Sequence, residues 1–178
     1  MAVLVEGISV LVLRSAIAAY YPGGVAGFVT NAPNRTLCAD DTVVRVGFMS
    51  PADVHDFVER LGRLGFTFQR DGSAADIVVV DQREGPTTPC RWLVFERVDL
   101  GTGAMVGTAR HVESQDESIA FPNGWAFEQS LSKTYGFVPL GRIRRLRFIR
   151  RDANLDIYED VETGKTVYIG RTMGLDVH

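Results

Sequence analysis

Three side chains in this sequence carry the groups of a nucleophilic site. Cys90 supplies a thiol, His111 supplies a base for its proton, and Asp81 supplies a carboxylate that could orient the imidazole. Such a set works as a catalytic unit when its members lie within hydrogen-bond reach of one another. If the fold brings them together, the residue types predict a small hydrolase or transferase.

The surrounding segment, residues 81–92, combines features of a binding site with those of an ordinary loop. Gln82, Arg91 and Trp92 add an amide, a guanidinium and an indole just after an apolar run. Loops that leave rigid strands are where binding residues concentrate. Two prolines in a polar connection are equally typical of an ordered loop, and a cysteine such as Cys90 is often a small buried hydrophobe. Both interpretations stay open.

Residues 142–151 contain six arginines in ten positions, among them Arg144, Arg145 and Arg147. Arginine binds carboxylate and phosphate groups in a bidentate geometry, so the run predicts a surface for an acidic partner. Acids of the same chain, such as Asp156, could neutralise it instead. The chain has 22 acidic and 19 basic residues, a net charge of −3, which disfavours nucleic acid as the partner.

The sequence carries no recognisable motif for a metal or a cofactor. Its three histidines are spread over the chain, and Cys38 and Cys90 lack the spacing of a zinc site. The glycines of residues 101–107 resemble a dinucleotide loop, but a strand rather than a helix is expected after them. We therefore expect no cofactor, and the two isolated cysteines favour a reducing compartment such as the cytoplasm.

The elements that must position these residues begin with a well-defined helix over residues 50–64. Ser50 is a preferred N-cap residue, Pro51 suits the first helical position, and Asp53 interacts favourably with the helix dipole. Its apolar face is predicted to consist of Val54, Phe57, Val58, Leu61 and Leu64. Residues at this spacing fall on one side of a helix, which should pack against a sheet.

Apolar runs of strand length surround this helix. Residues 8–13 and 77–80 are β-branched and predict strands, the second one buried on both faces. An antiparallel hairpin is expected from residues 91–98 and 104–112, and a further helix within residues 125–135. Three short strands close the chain, at residues 146–150, 155–160 and 166–170.

These elements together predict a single α+β domain over residues 1–178. We expect a mainly antiparallel sheet, two or three helices and a C-terminal β-meander. The apolar N-terminus lacks a basic region and is interrupted by Glu6, so no signal peptide is expected. No apolar run approaches the roughly 18 residues needed to span a bilayer, so no membrane span is expected either.

Several segments resemble a family of small uncharacterised bacterial proteins. The resemblance lies in residues 34–40, 46–53, 163–165 and 168–171, together with Tyr158. It extends over most of the chain and implies a bacterial origin. It carries no catalytic motif and no established activity, and short bacterial α+β proteins of this kind include immunity and accessory proteins.

Two functions are compatible with these features. The leading hypothesis is a non-catalytic binding module that acts through a protein partner, as an immunity-like or regulatory protein. It depends on the lack of a complete catalytic motif, on the arginine run and on the acidic loop of residues 113–117. The alternative is a small hydrolase or transferase that uses Cys90 or Asp81 with His111. Either protein could form a homo-oligomer.

Overall fold

The computed structural model describes residues 1–101, 104–134, 146–152, 155–161, 164 and 166–170. Within this part of the chain it contains four helices and several mostly antiparallel sheets. The predicted α+β class is therefore confirmed. The fourth helix, one more than the upper expectation, is a single turn.

The larger sheet consists of five strands whose neighbours all run antiparallel. Their order is β3 (Cys38–Ala39), β4 (Val43–Phe48), β2 (Ile8–Leu13), β7 (Ile77–Asp81) and β8 (Gly85–Pro86). The three central strands are almost entirely buried, because one face of the sheet is covered by helices and the other by a second sheet. The strands predicted at residues 8–13 and 77–80 are confirmed.

The smaller sheet has four strands and packs on the larger one through a shared apolar cluster. Its order is β11 (Ile119–Ala120), β1 (Ala2–Val5), β10 (Met105–His111) and β9 (Leu93–Asp99). The predicted β9–β10 hairpin is confirmed, and only the β1–β11 pair is parallel among the strand pairs described. Strand β1 was not predicted from the sequence, although all four of its residues are buried.

Three helices cover the outer face of the larger sheet. They are α1 (Arg14–Tyr20), α2 (Gly24–Thr30) and α3 (Pro51–Arg63). The predicted helix α3 is confirmed: the Ser50 hydroxyl accepts a hydrogen bond of 3.2 Å from the amide of Ala52. Val54, Phe57 and Leu61 are buried as its apolar spacing requires. No helix in the described part of the chain is long and apolar enough to cross a membrane.

The C-terminal part begins with short helical turns and continues as a separate three-stranded sheet. A 3₁₀ turn (Phe127–Gln129) and α4 (Leu131–Thr134) stand where one longer helix was expected. The predicted meander is confirmed as the antiparallel strands β12 (Leu146–Asp152), β13 (Leu155–Asp160) and β14 (Thr166–Gly170). A small hairpin, β5 (Gln69–Arg70) with β6 (Ser73–Ala74), completes the described strands.

The bend between β1 and β2 carries the chain from the smaller sheet into the larger one. Gly7 at this bend has a φ of +58°, a left-handed conformation that side chains other than glycine rarely adopt. A Cβ atom here would also lie 2.7 Å from the carbonyl oxygen of Phe48. The amide of Gly7 donates a 2.7 Å hydrogen bond to Oε1 of Gln82. Gly7 therefore lies where the two sheets meet, and any larger side chain there would clash with β4.

Candidate functional site

The proposed catalytic residues do not form a hydrogen-bonded set among the described residues. Asp81 lies at the end of β7, where its Oδ1 accepts hydrogen bonds from the amides of Arg83 and Glu84 at 2.7 and 2.9 Å. These bonds close the turn between β7 and β8. Burial raises the pKa of the Asp81 carboxyl, and the two amides oppose that shift. Asp81 thus stabilises a turn and does not orient His111.

Cys90 and His111 lie near the same end of the β9–β10 hairpin but do not bond to each other. His111 pairs with Leu93 across the hairpin, and its ring stacks on Trp92 with centroids 6.5 Å apart. The Nδ1 atom of His111 lies 3.9 Å from the carboxylate of Glu113 and accepts a hydrogen bond from that residue's amide. The imidazole is therefore oriented by Glu113.

Burial raises the pKa of the Cys90 thiol, and hydrogen bonds from nearby amides oppose the shift. A nucleophilic cysteine needs the opposite shift, since the thiolate is the reactive form. At neutral pH the thiol of Cys90 is therefore protonated. This property matches a partly buried structural cysteine.

We expect Cys90 to react with iodoacetamide at pH 7.5 at least about fivefold more slowly than glutathione in the same solution. Because its pKa is raised, the rate should climb with pH and reach its midpoint above that of glutathione. Peptide mapping by mass spectrometry measures Cys90 and Cys38 separately. A rate above that of glutathione would contradict this prediction and favour the hydrolase or transferase.

The other candidates of residues 81–92 mainly hold the backbone. Gln82 is buried and links two segments, because its amide nitrogen also donates to the carbonyl of Leu131 at 3.4 Å. The Trp92 indole donates a 2.8 Å hydrogen bond to the carbonyl of Ala75. Arg91 is exposed at the start of this hairpin. Only Arg91 is therefore fully available to a ligand in solution.

The arginine run is described only in part. Arg144 and Arg145 lie outside the described residues, whereas Arg147 is exposed on β12. Arg147 forms an ion pair with Glu159, which is its partner across β12 and β13. Arg147 is thus neutralised by an acidic residue of the same chain, which was the alternative to an acidic partner.

The least expected polar group is Arg45, in the middle of the buried strand β4. Its side chain is only 2% exposed. Nε donates to the Ser9 hydroxyl at 2.9 Å, Nη1 to the carbonyl of Thr36 at 2.8 Å, and Nη2 to the carbonyl of Glu6 at 2.9 Å. Burial lowers the pKa of the guanidinium, and the nearby thiol of Cys38 and carboxylate of Glu6 oppose that shift.

Glu6 is a second buried charged residue, at the bend between the two sheets, and is 7% exposed. Its Oε2 accepts a 3.1 Å hydrogen bond from the Trp125 indole. Its Oε1 accepts hydrogen bonds from the amide, at 2.9 Å, and from the hydroxyl of Ser132. The carboxylate therefore ties the N-terminal bend to the start of α4, 126 residues away.

Arg45 and Glu6 line a cavity of about 230 Å³ at this junction. Its apolar walls are formed by Phe48, Met49, Pro122, Trp125 and Leu131, and exposed Arg35 lies at its rim. Binding sites for small molecules combine such walls with a few fixed polar groups. We name this space the junction cavity.

No protein-family model, curated protein or solved structure matches this chain. Its function must therefore be argued from the chemistry of its own residues.

A larger groove along α3 has about 550 Å³ but a different character. Its charged residues are exposed, and Arg63 pairs with Glu59 at 2.8 Å on the helix surface. Arg60 lies over the ring of Phe57, 5.2 Å from its centroid. These contacts are those of the solvent-facing side of an amphipathic helix. The junction cavity, with its buried charges, is the stronger candidate site.

The junction residues were missed from the sequence, although a signal exists. Arg45 stands alone within an apolar strand, and Glu6 separates two apolar segments. Charged residues are rarely buried unless they are paired or hydrogen-bonded, so an isolated charge inside a buried strand marks a special position.

Proposed function

We propose that this protein is a non-catalytic binding module that acts through an acidic protein partner, as an immunity-like or regulatory protein. The observation that carries the proposal is the exposed edge strand β12. Phe148 and Ile149 are 51% and 49% exposed, and Arg147 and Arg150 are exposed beside them. Such a mixture of apolar and basic side chains is suited to a partner that supplies both apolar contacts and carboxylates.

The position of β12 in its sheet adds a second binding element. In the described strand order β12–β13–β14, β12 pairs with β13 on one side. An edge strand offers backbone N–H and C=O groups to a further strand, which is how many domains bind extended peptides. An extended segment with alternating apolar and acidic residues would match both the backbone and the arginines.

The alternative, a hydrolase or transferase that uses Cys90 or Asp81 with His111, has less support. Cys90 carries a raised pKa, and the Asp81 carboxylate is bonded to turn amides. The imidazole of His111 is oriented by Glu113. These observations leave the binding module as the better-supported function.

A bacterial origin and a cytoplasmic location belong to the same proposal. The first is supported only by the resemblance that residues 34–40, 46–53, 163–165 and 168–171 suggest to small bacterial proteins. The second is supported by the free thiols of Cys38 and Cys90, which are more common in reducing compartments.

The proposal is tested with a fluorescent peptide of alternating valine and glutamate, whose binding is followed by anisotropy at low salt. We expect saturable binding that the paired changes Arg147→Glu and Arg150→Glu weaken at least about tenfold, because two attractions become repulsions. Because Arg147 also pairs with Glu159, Arg150→Glu is measured alone as well. Binding should also weaken as salt is added.

A matched variant and a modified peptide make this test specific. The changes Arg70→Glu and Arg91→Glu reverse the same charge at exposed positions far from β12 in sequence and should leave binding almost unchanged. A peptide that is N-methylated at alternate residues cannot donate its backbone hydrogen bonds and should bind weakly. Absence of binding, or equal losses in both arginine pairs, would contradict the proposal.

A further inference from the structure

We infer that the junction cavity binds a small carboxylate ligand through Arg45. This site is independent of the edge strand β12, so it goes beyond the partner-binding function. The inference depends on the unbalanced charge of Arg45, on the space around its guanidinium and on the apolar walls of the cavity.

The charge of Arg45 is held by neutral acceptors. Its three hydrogen bonds end on one hydroxyl and two backbone carbonyls, and in the described part of the chain no carboxylate oxygen lies within 4 Å of it. The Cys38 thiol also forms a side-chain hydrogen bond with the guanidinium. A guanidinium has five N–H donors, so these four partners leave at least one donor for another acceptor. A buried charge is stabilised best when an opposite charge and hydrogen bonds accompany it. A ligand carboxylate supplies both.

Glu6 does not fill this role, although it lines the same cavity. Its two carboxylate oxygens accept hydrogen bonds from the Trp125 indole and from the amide and hydroxyl of Ser132. It influences Arg45 through space but contacts the guanidinium only through its backbone carbonyl. With Arg35 at the rim, the lining carries two positive charges and one negative charge. The cavity therefore favours an anion.

The guanidinium is held in position before any ligand arrives. A Cβ atom on Gly47 would lie 2.3 Å from Nη2 and 2.6 Å from Cζ of Arg45, so the absence of a side chain makes room for the group. The Thr36 hydroxyl accepts a 2.7 Å hydrogen bond from the amide of Gly47, and Asn34 donates to the carbonyl of Gly47 at 2.8 Å. A preorganised guanidinium binds a planar carboxylate with little further ordering.

The walls and the size of the cavity define the rest of the ligand. Phe48, Met49, Pro122, Trp125 and Leu131 favour an apolar body. A volume of about 230 Å³ is below the roughly 300–1,000 Å³ of pockets that hold drug-sized ligands. The site thus fits a small acid with a flat apolar portion rather than a nucleotide or a peptide.

The test uses the full chain labelled with ¹⁵N and benzoate as the probe. The protein has two tryptophans, so its NMR spectrum contains two indole N–H signals, which Trp92→Phe assigns. Trp125 lines the cavity and Trp92 bonds elsewhere. We expect benzoate to shift the Trp125 signal in a saturable manner and to leave the Trp92 signal in place.

Benzamide is the matched control, because it has the shape of benzoate without the charge. It should bind at least about tenfold more weakly than benzoate, because losing one charge-assisted hydrogen bond lowers the affinity by at least about this factor. Arg35→Glu at the exposed rim should weaken benzoate about threefold or more, and Arg45→Met should abolish binding where its spectrum shows a folded protein. The double variant of Arg147 and Arg150 should bind benzoate normally.

Four results would each overturn the inference. They are equal binding of benzoate and benzamide, no saturable shift of the Trp125 signal, a larger shift at Trp92, and no effect of Arg35→Glu. Tighter binding of inorganic phosphate than of benzoate would reject the carboxylate as the ligand group. Failure of the peptide experiment on β12 would leave these outcomes unchanged, so the two proposals fail separately.

Discussion

Replacing Arg45 by alanine is expected to lower the free energy of unfolding by about 3 kcal/mol. The change removes the donor from two buried acceptors, on Ser9 and Glu6, and from the partly buried carbonyl of Thr36. The Glu6 carbonyl keeps a hydrogen bond from the Ser9 hydroxyl at 3.1 Å. An acceptor that is left without any partner costs roughly 1 kcal/mol or more, and the lost packing of the Arg45 side chain adds to this. Removing a buried charge returns part of the cost. Urea unfolding, with an unchanged slope, measures the difference.

Two variants show whether this loss comes from the buried position. Arg63→Ala removes a guanidinium that is exposed on α3 and paired with Glu59, and should change stability by less than about 0.5 kcal/mol. Arg45→Lys keeps the charge, but its single ammonium lacks the planar geometry that reaches three acceptors, so we expect an intermediate loss. If Arg45→Ala were as stable as Arg63→Ala, the junction network would contribute little to the fold.

The elements that could be predicted from the sequence are those whose buried residues form a recognisable pattern over a few neighbouring positions. Helix α3 has a cap, an N-terminal proline and an apolar face, and β2 and β7 are continuous β-branched runs. Strand β1 is also a continuous apolar run, of only four residues, and periodicity alone does not distinguish so short a run from part of a buried helix. Its status as a strand comes from pairing with β10, about a hundred residues later. No window of local sequence contains that information.

The side chains of the candidate site could not be brought together from the sequence for the same reason: their proximity depends on contacts between distant parts of the chain. The types of Cys90, His111 and Asp81 suggested catalysis, but type does not specify distance, and turn amides occupy the Asp81 carboxylate. Arg45 and Glu6 were recognisable as unusual charges. Two features place them at a common cavity. The register between β2 and β4 puts Arg45 opposite Leu11, and α4 packs against the bend that contains Glu6. Strand register and contacts between residues distant in sequence are properties of the tertiary structure, which a local sequence pattern does not specify.

Replacing Gly7 by alanine is expected to lower the free energy of unfolding by about 3 kcal/mol, because two costs combine at this bend. A φ of +58° costs an alanine roughly 1 kcal/mol. The added Cβ would also lie 2.7 Å from the carbonyl oxygen of Phe48, and relief of such overpacking costs about 1–3 kcal/mol more. Thermal or urea unfolding of the whole chain provides the measurement.

Gly72→Ala is the matched control, because it separates the two costs. Gly72 has a similar φ of +75°, but no atom lies within 4 Å of its added Cβ, so its loss should be about 1 kcal/mol. The difference between the two variants then measures the close approach of β4 to the bend. Equal losses would mean that β4 moves away freely at Gly7. The junction would then be a flexible joint, and the position of Arg45 beside it would depend on its own hydrogen bonds alone.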